Sequence, residues 1–175
     1  MKNGIQPTNR EVLVSERDFI VSKTDTKGRI VYANRLFMKI SGYQETELLG
    51  QQHNLLRHPD MPRGVFHLLW SEIMQGQECF AYIKNLCKNG DHYWVLANVT
   101  PDYDPMDQII GYFSVRRKAS REAVDYFAGL YRDMLSTETS AGPKNAIAAS
   151  TELLNQAIND QGFENYETFV FGHQT

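Results

Sequence analysis

A chain of 175 residues, 42% of them apolar, can bury one ordinary hydrophobic core, so its composition implies one domain with appendages rather than two full domains. A net charge of −3 and a pI near 5.9 exclude a dominant nucleic-acid footprint, and the short run Arg116-Arg117-Lys118 is too small to supply one. No apolar run reaches the roughly 20 residues of a membrane span. Met1 to Pro7 lack the apolar core of a signal peptide, and Cys79 and Cys87 form neither a disulfide framework nor a zinc pair, so a cytoplasmic protein with reduced thiols is expected.

Residues 1–18 are polar and lack periodicity until Val12-Leu13-Val14, the pattern of a leader that becomes a short helix or a strap. Phe19 to Asp25 and Arg29 to Ala33 read as two strands of a hairpin turning at Thr26-Lys27-Gly28. Asn34 caps a helix whose apolar face is Leu36, Phe37 and Ile40, and Ser41-Gly42-Tyr43 stops it. A second short helix carries Glu45 and Glu47 in its first turn, buries Leu48-Leu49 and closes at Gly50. A longer helix is expected from Pro62 to Gln75, with Phe66, Leu69, Trp70 and Ile73 at helical spacing and Gly76 behind it. Glu78 to Leu86 and Asp91 to Asp102 are rich in β-branched and aromatic residues and flank the hairpin signal Lys88-Asn89-Gly90. A last strand, Gln108 to Arg117, follows the turn at Asp102 to Pro105. Two strands, several short helices and three strands make an α+β domain, an antiparallel five-stranded sheet with helices grouped over one face.

Beyond Lys118, Ala123, Phe127, Leu130 and Met134 follow a 4-3-4 spacing, an amphipathic helix that must bury its stripe on the domain, in a dimer or on a partner. Thr139 to Pro143 is a break, and a further helix from Lys144 to Asn159 carries Ile147, Leu154 and Ile158 along one side. The aromatic tail from Phe163 to His173 is expected to pack rather than to lie in solvent. The division is a leader over 1–18, a central domain over 19–118 and a helical extension over 119–175.

The chemistry is concentrated in His53-Asn54-Leu55-Leu56-Arg57-His58-Pro59-Asp60-Met61-Pro62, read with Lys84-Asn85 and Lys88 to Trp94. Two prolines keep this stretch irregular, so its polar groups sit on non-helical backbone beside apolar elements, as in a ligand pocket. No nucleophile motif supports catalysis, and His53 and His58 lack the spacing of a metalloprotease pair. Asp102, Asp104 and Asp107 lack the glutamate of a calcium loop, and neither a dinucleotide fingerprint nor a P-loop is present. What remains is a pocket of donors, acceptors and aromatic walls that suits a flavin ring: Asn85 offers one donor and one acceptor to the ring edge, and Trp70 or Trp94 could pack its faces. Arg57, His58 and His53 could meet phosphate or adenine groups. Plainer roles stand beside these: Asp60 as a cap for the following helix, Trp70 as core, His92 as a surface strand residue. Asn85 is harder to explain away, because Asn is depleted in strands.

From Phe19 to Arg117 the chain resembles PAS domains, through the early strand pair, Tyr32-Ala33-Asn34, Ser41-Gly42-Tyr43, Glu47-Leu48-Leu49-Gly50 and Lys88-Asn89-Gly90-Asp91. The longer pattern from His53 to Pro62, with Lys84-Asn85 and Asn89 to Trp94, is similar to the FAD-binding PAS domains of bacterial aerotaxis receptors (Aer type), and the similarity runs on to Leu130-Tyr131. The resemblance implies the PAS fold, non-covalent FAD and a redox or oxygen sensor in signal transduction, aerotaxis or chemotaxis, not an enzyme. It also implies that Arg57, His58, Asp60 and Asn85, with Trp70 in addition, contact the flavin. There is no Cys at the helix site where light-sensing LOV relatives form a flavin adduct. A membrane anchor and coiled signalling region of the aerotaxis type are missing from the chain, so the output is either a stand-alone sensor docking to a partner or homodimer, the preferred reading, or a piece of a longer receptor or kinase. The rivals are a haem-binding PAS gas sensor with His67 or His58 as axial ligand, an apo PAS interaction domain, and a small flavoenzyme.

Overall fold

A computed structural model describes residues 4–174; Met1 to Asn3 of the expected leader, and Thr175, lie outside them. The strands are β1 (Ile20–Asp25), β2 (Ile30–Ala33), β3 (Cys79–Leu86), β4 (His92–Tyr103) and β5 (Ile109–Lys118). They form one antiparallel sheet in the order β2-β1-β5-β4-β3, so the first and last strands of the domain meet at its centre. Registers such as Ser22↔Ser114, Val99↔Ser114 and Ala81↔Ala97 place Ile20, Ser22, Thr24, Tyr112, Ser114, Arg116, Tyr93, Ala97, Val99, Ile83 and Asn85 on one face. Strict alternation sends Tyr82, Trp94 and Leu96 to the other.

The first face is covered by α1 (Arg35–Ser41), α2 (Glu45–Leu48), a single 3₁₀ turn (His53–Leu56) and α3 (Arg63–Met74). These are the short helices expected over one face. Asn34 caps α1 by accepting from the Phe37 amide at 2.9 Å.

The opposite face belongs to the C-terminal extension. The long helix α4 (Arg121–Asp160) holds one non-helical residue, Gly142, at φ 75 and ψ 167, with Pro143 after it. Only a residue without Cβ adopts that φ at little cost, and the ring of Pro143 forbids the helical hydrogen bond, so the run folds as two helices. The break is narrower than the sequence suggests, because Thr139 and Ser140 stay helical while their hydroxyls bond back to Leu135 O and Ser136 O. In the first half, Phe127 packs on Tyr82, ring centroids 4.4 Å apart, and Tyr131 stacks on Trp94. The amphipathic stripe is thus spent on the domain itself. Tyr131 Oη also donates to Tyr82 O at 2.8 Å, covering an otherwise open strand edge. Then α5 (Tyr166–Gly172) closes an aromatic cluster in which Phe169 meets Phe127 and Phe163.

The leader is a strap. Thr8 and Val12 donate backbone hydrogen bonds to Gly90 O and His92 O, and the His92 amide donates to Arg10 O. Val14 is buried. No helix among the described residues is long and apolar enough to cross a membrane.

Candidate functional site

Between the first sheet face and α3 lies a cavity of about 470 Å³. Its walls are aromatic and aliphatic: Phe66, Leu69, Trp70 and Ile73 from α3, and Tyr112, Val99, Ala97 and Ile83 from the sheet. Trp70 meets Tyr112 edge-on at 5.4 Å, so the periodicity that reads as core in the sequence places this indole against the cavity. Gln52, Asn54, Arg63 and His67, exposed lining residues, mark the mouth.

Four buried polar atoms on this sheet face have no partner among the described residues, Tyr93 Oη on β4 and three borne by residues of the cavity lining: Asn85 Nδ2 on β3, and Ser114 Oγ and Arg116 Nη1 on β5. Leaving such groups unpaired costs about 1–3 kcal/mol each, more for a charge. A cavity lined by apolar rings with a few convergent polar groups is the ordinary form of a small-molecule site.

The irregular stretch supplies the remaining wall. His53 lines the cavity, stacks on Phe37 and lies with Nε2 2.7 Å from Arg116 Nη2. Burial, and then the Arg116 charge, push its pKa down to about 3, so the imidazole is neutral and accepts from the guanidinium. Arg57 lines the cavity too, but its Nη2 donates to Met61 O at 2.8 Å and its guanidinium lies over the Phe66 ring at 4.6 Å. The bridge pairing of Arg57 with Asn85 joins the stretch to the edge of β3.

Of the seven residues singled out from sequence, the structure brings His53, Arg57, Trp70 and Asn85 together around the cavity and sets His58, Asp60 and Trp94 outside its lining. His58 is buried in the loop, its Nδ1 accepting from the Asp60 amide at 3.1 Å and its ring edge-on to half-buried His92. Burial, reinforced by Lys84, holds its pKa down at about 4. Asp60 does not cap α3. Its carboxylate takes Lys84 Nζ at 2.6 Å, while the Arg63 and Gly64 amides at the start of α3 donate to Glu138 Oε1 of α4 at 2.6 and 3.1 Å. Trp94 cannot wall the cavity from its position, because its pairing with Lys84 puts it on the far face against Tyr131.

Sequence reasoning missed Arg116, Ser114 and Tyr112. Arg116 opens the short basic run Arg116-Arg117-Lys118, yet it is 4% exposed while Arg117 and Lys118 are exposed. Strand alternation was the signal that could have found it: counting by twos from Tyr112 reaches Ser114 and Arg116. Both cysteines are buried, are absent from the cavity lining, and are pushed up to about 12 by burial.

Comparison with known proteins agrees with this architecture. The chain is 38% identical over 133 residues to the aerotaxis receptor of Escherichia coli K12, covering 76% of this chain and 26% of the receptor. It is 29% identical over 108 residues to a nitrogen fixation regulatory protein of Klebsiella pneumoniae, covering 62% of this chain and 22% of that protein. The chain thus spans about a quarter of the length of these relatives. Among solved structures, the dark structure of the blue-light photoreceptor Aureochrome1 LOV matches with a TM-score of 0.52 at 26% identity, covering 70% of this chain and 86% of that one. A light-oxygen-voltage domain studied with a flavin analogue shares the fold at a TM-score of 0.55 and 23% identity, covering 62% and 82%. The PAS fold family model matches residues 9–118, taking in the strap as well as the sheet, and the chain belongs to the PAS family.

Proposed function

We propose that the cavity binds a flavin, FAD in particular, and that the domain reports redox or oxygen status to a signalling partner rather than turning over a substrate. The observation that carries this is the set of buried groups without a partner among the described residues, Asn85 Nδ2, Ser114 Oγ and Arg116 Nη1, on residues that line a cavity walled by Trp70, Phe66 and Tyr112. Polar donors on one side and apolar rings around them suit a heteroaromatic ring with a polar edge. The 38% identity to the aerotaxis receptor supports a bacterial, aerotaxis-like sensing role. Arg57 and His53 in the lining, with Arg63 at the mouth, would serve the phosphates and adenine of FAD. His58 and Asp60 would act by holding the loop that carries Arg57, through the Asp60 amide and the Lys84 ion pair.

When bound, a flavin supplies redox chemistry; the chain's own residues supply binding, orientation and a route outward. That route runs through α3, which lines the cavity with Phe66 and Trp70 and whose first amides rest on Glu138 of α4. A change in the hydrogen bonds at Asn85 that tilts α3 would reach the C-terminal helices, and through them a cytoplasmic partner or a second copy.

The test is an absorption spectrum of freshly purified protein before and after dithionite, with the released chromophore identified by chromatography. A yellow, reversibly bleached protein releasing FAD is expected. A colourless protein that also refuses added FAD overturns the reading and leaves an interaction domain. A Soret band would favour haem, for which His67 at the mouth is available. Sustained NAD(P)H consumption would support an enzyme instead.

A further inference from the structure

Arg116 is a buried cation with no carboxylate neighbour influencing its charge among the described residues. Its Nη2 donates to Ser22 Oγ at 2.9 Å and to His53 Nε2 at 2.7 Å, its Cζ lies 5.4 Å from the Phe37 ring centroid, and its Nη1 has no partner among the described residues. The titratable group that bears on it besides His53 is the buried phenol of Tyr93. Burial lowers its pKa to about 10, which still leaves the guanidinium charged at neutral pH. A hydroxyl, a neutral imidazole and a ring face solvate the charge without cancelling it. Burying an unneutralised charge costs several kcal/mol, so the fold carries a standing electrostatic demand at this point of the cavity wall. It is also fixed in place: Arg116 pairs with Ile20 on β1 and with Ala97 on β4, in the middle of the sheet.

We propose that Arg116 is the ligand-selecting group of the cavity, favouring a ligand edge that carries or gains negative charge and holding the more negative form of that ligand more tightly. The inference rests on the flavin reading of the site. There Arg116 stabilises the reduced flavin over the oxidised one and so raises its midpoint potential, while neutral His53, already accepting from Nη2, keeps the guanidinium pointed inward. Arg116 is thus a residue that tunes what the domain senses, distinct from Asn85, which matches the ring edge by neutral hydrogen bonds.

The experiment compares wild type, Arg116→Gln, Arg116→Met and Arg116→Lys, each loaded with FAD, by spectroelectrochemical titration with dithionite and a reference dye, with thermal unfolding run in parallel. Arg116→Gln and Arg116→Met, the second leaving no amide to satisfy, should lower the ratio of reduced to oxidised affinity at least tenfold, a fall of about 59 mV for a one-electron couple. Arg116→Lys should recover most of it. A folded, flavin-loaded Arg116→Gln or Arg116→Met protein with an unchanged potential overturns the role of Arg116 and leaves the flavin reading standing. A wild-type protein that binds no flavin overturns both.

Discussion

The two faces of the sheet are built from neighbouring residues of the same strands, yet they solve opposite problems. On the outer face Tyr82 meets Phe127 and Trp94 meets Tyr131, Leu96 is buried beside them on the strand, and the Tyr82 hydroxyl donates to Gln174 Oε1 at 2.8 Å. Its rings are packed and its buried phenol is satisfied. On the inner face Asn85, Ser114 and Arg116 keep atoms without partners around a cavity. One face is filled with packed rings, the other borders a cavity, and what joins the two is Glu138 at the start of α3.

The sharpest test of that division is Phe127→Ala. Phe127 is fully buried among Tyr82, Tyr131 and Phe169, and its loss should cost about 3–5 kcal/mol in urea unfolding. Flavin content per folded molecule should hardly change; a large drop would show that the faces are not separate. Glu138→Ala comes next, because it strips an acceptor from the Arg63 and Gly64 amides and the Ser150 hydroxyl. About 1–3 kcal/mol should be lost. If Glu138→Ala left stability untouched, α3 would not depend on the C-terminal helices.

Acid should act through the inner face and its loop. His53 and His58 stay neutral in the fold to about 3 and about 4, whereas in the unfolded chain they take up protons near the ordinary 6.5. Unfolding therefore binds protons below that value: the stability these two groups contribute is fully present above pH 6.5 and is lost as pH falls through their folded pKa values. The slope should be up to about 1.4 kcal/mol per pH unit for each imidazole. His53→Gln and His58→Gln should each flatten the stability profile between pH 6.5 and 4; profiles that superimpose on wild type would contradict the burial of these rings.

The smallest stability effect is expected at Asn85. Asn85→Ala removes an amide with an unpaired buried Nδ2, so apoprotein stability should stay within about 1 kcal/mol while bound flavin falls at least tenfold. Trp94→Phe is its mirror: under about 1.5 kcal/mol of destabilisation and unaltered flavin binding. A Trp94→Phe protein that lost its chromophore would place the site on the wrong face.

Much of this was legible residue by residue. Asn34 as a cap, the Lys88-Asn89-Gly90 turn and the Phe127 stripe are local signals, carried by φ preferences and by period alone, and the structure shows each of them, while the break expected over Thr139 to Pro143 narrows to Gly142-Pro143. The pocket stretch was visible because two prolines and five polar groups stand where no continuous helix can form; the structure gives it one 3₁₀ turn, His53–Leu56. Which of its groups face the cavity was not, since irregular backbone has no period from which to count. Asp60 illustrates the limit: its place before Pro62 suits a helix cap, but the acceptor that α3 uses comes from Glu138, more than seventy residues away.

By itself the sequence determined the elements, the antiparallel α+β class and a stretch that borders the cavity, because turn chemistry, capping and hydrophobic period act over a few residues. Only the tertiary structure decided which face each strand residue serves. Pairing β1 with β5 carried Arg116 inward beside His53, and pairing β3 with β4 while laying α4 across the far face turned Trp94 away from the cavity. The contacts of Arg116 with His53 and of Trp94 with Tyr131 join residues with more than thirty positions between them, and no local preference encodes them; they exist because burying the Phe127 stripe and closing the sheet are favourable only together.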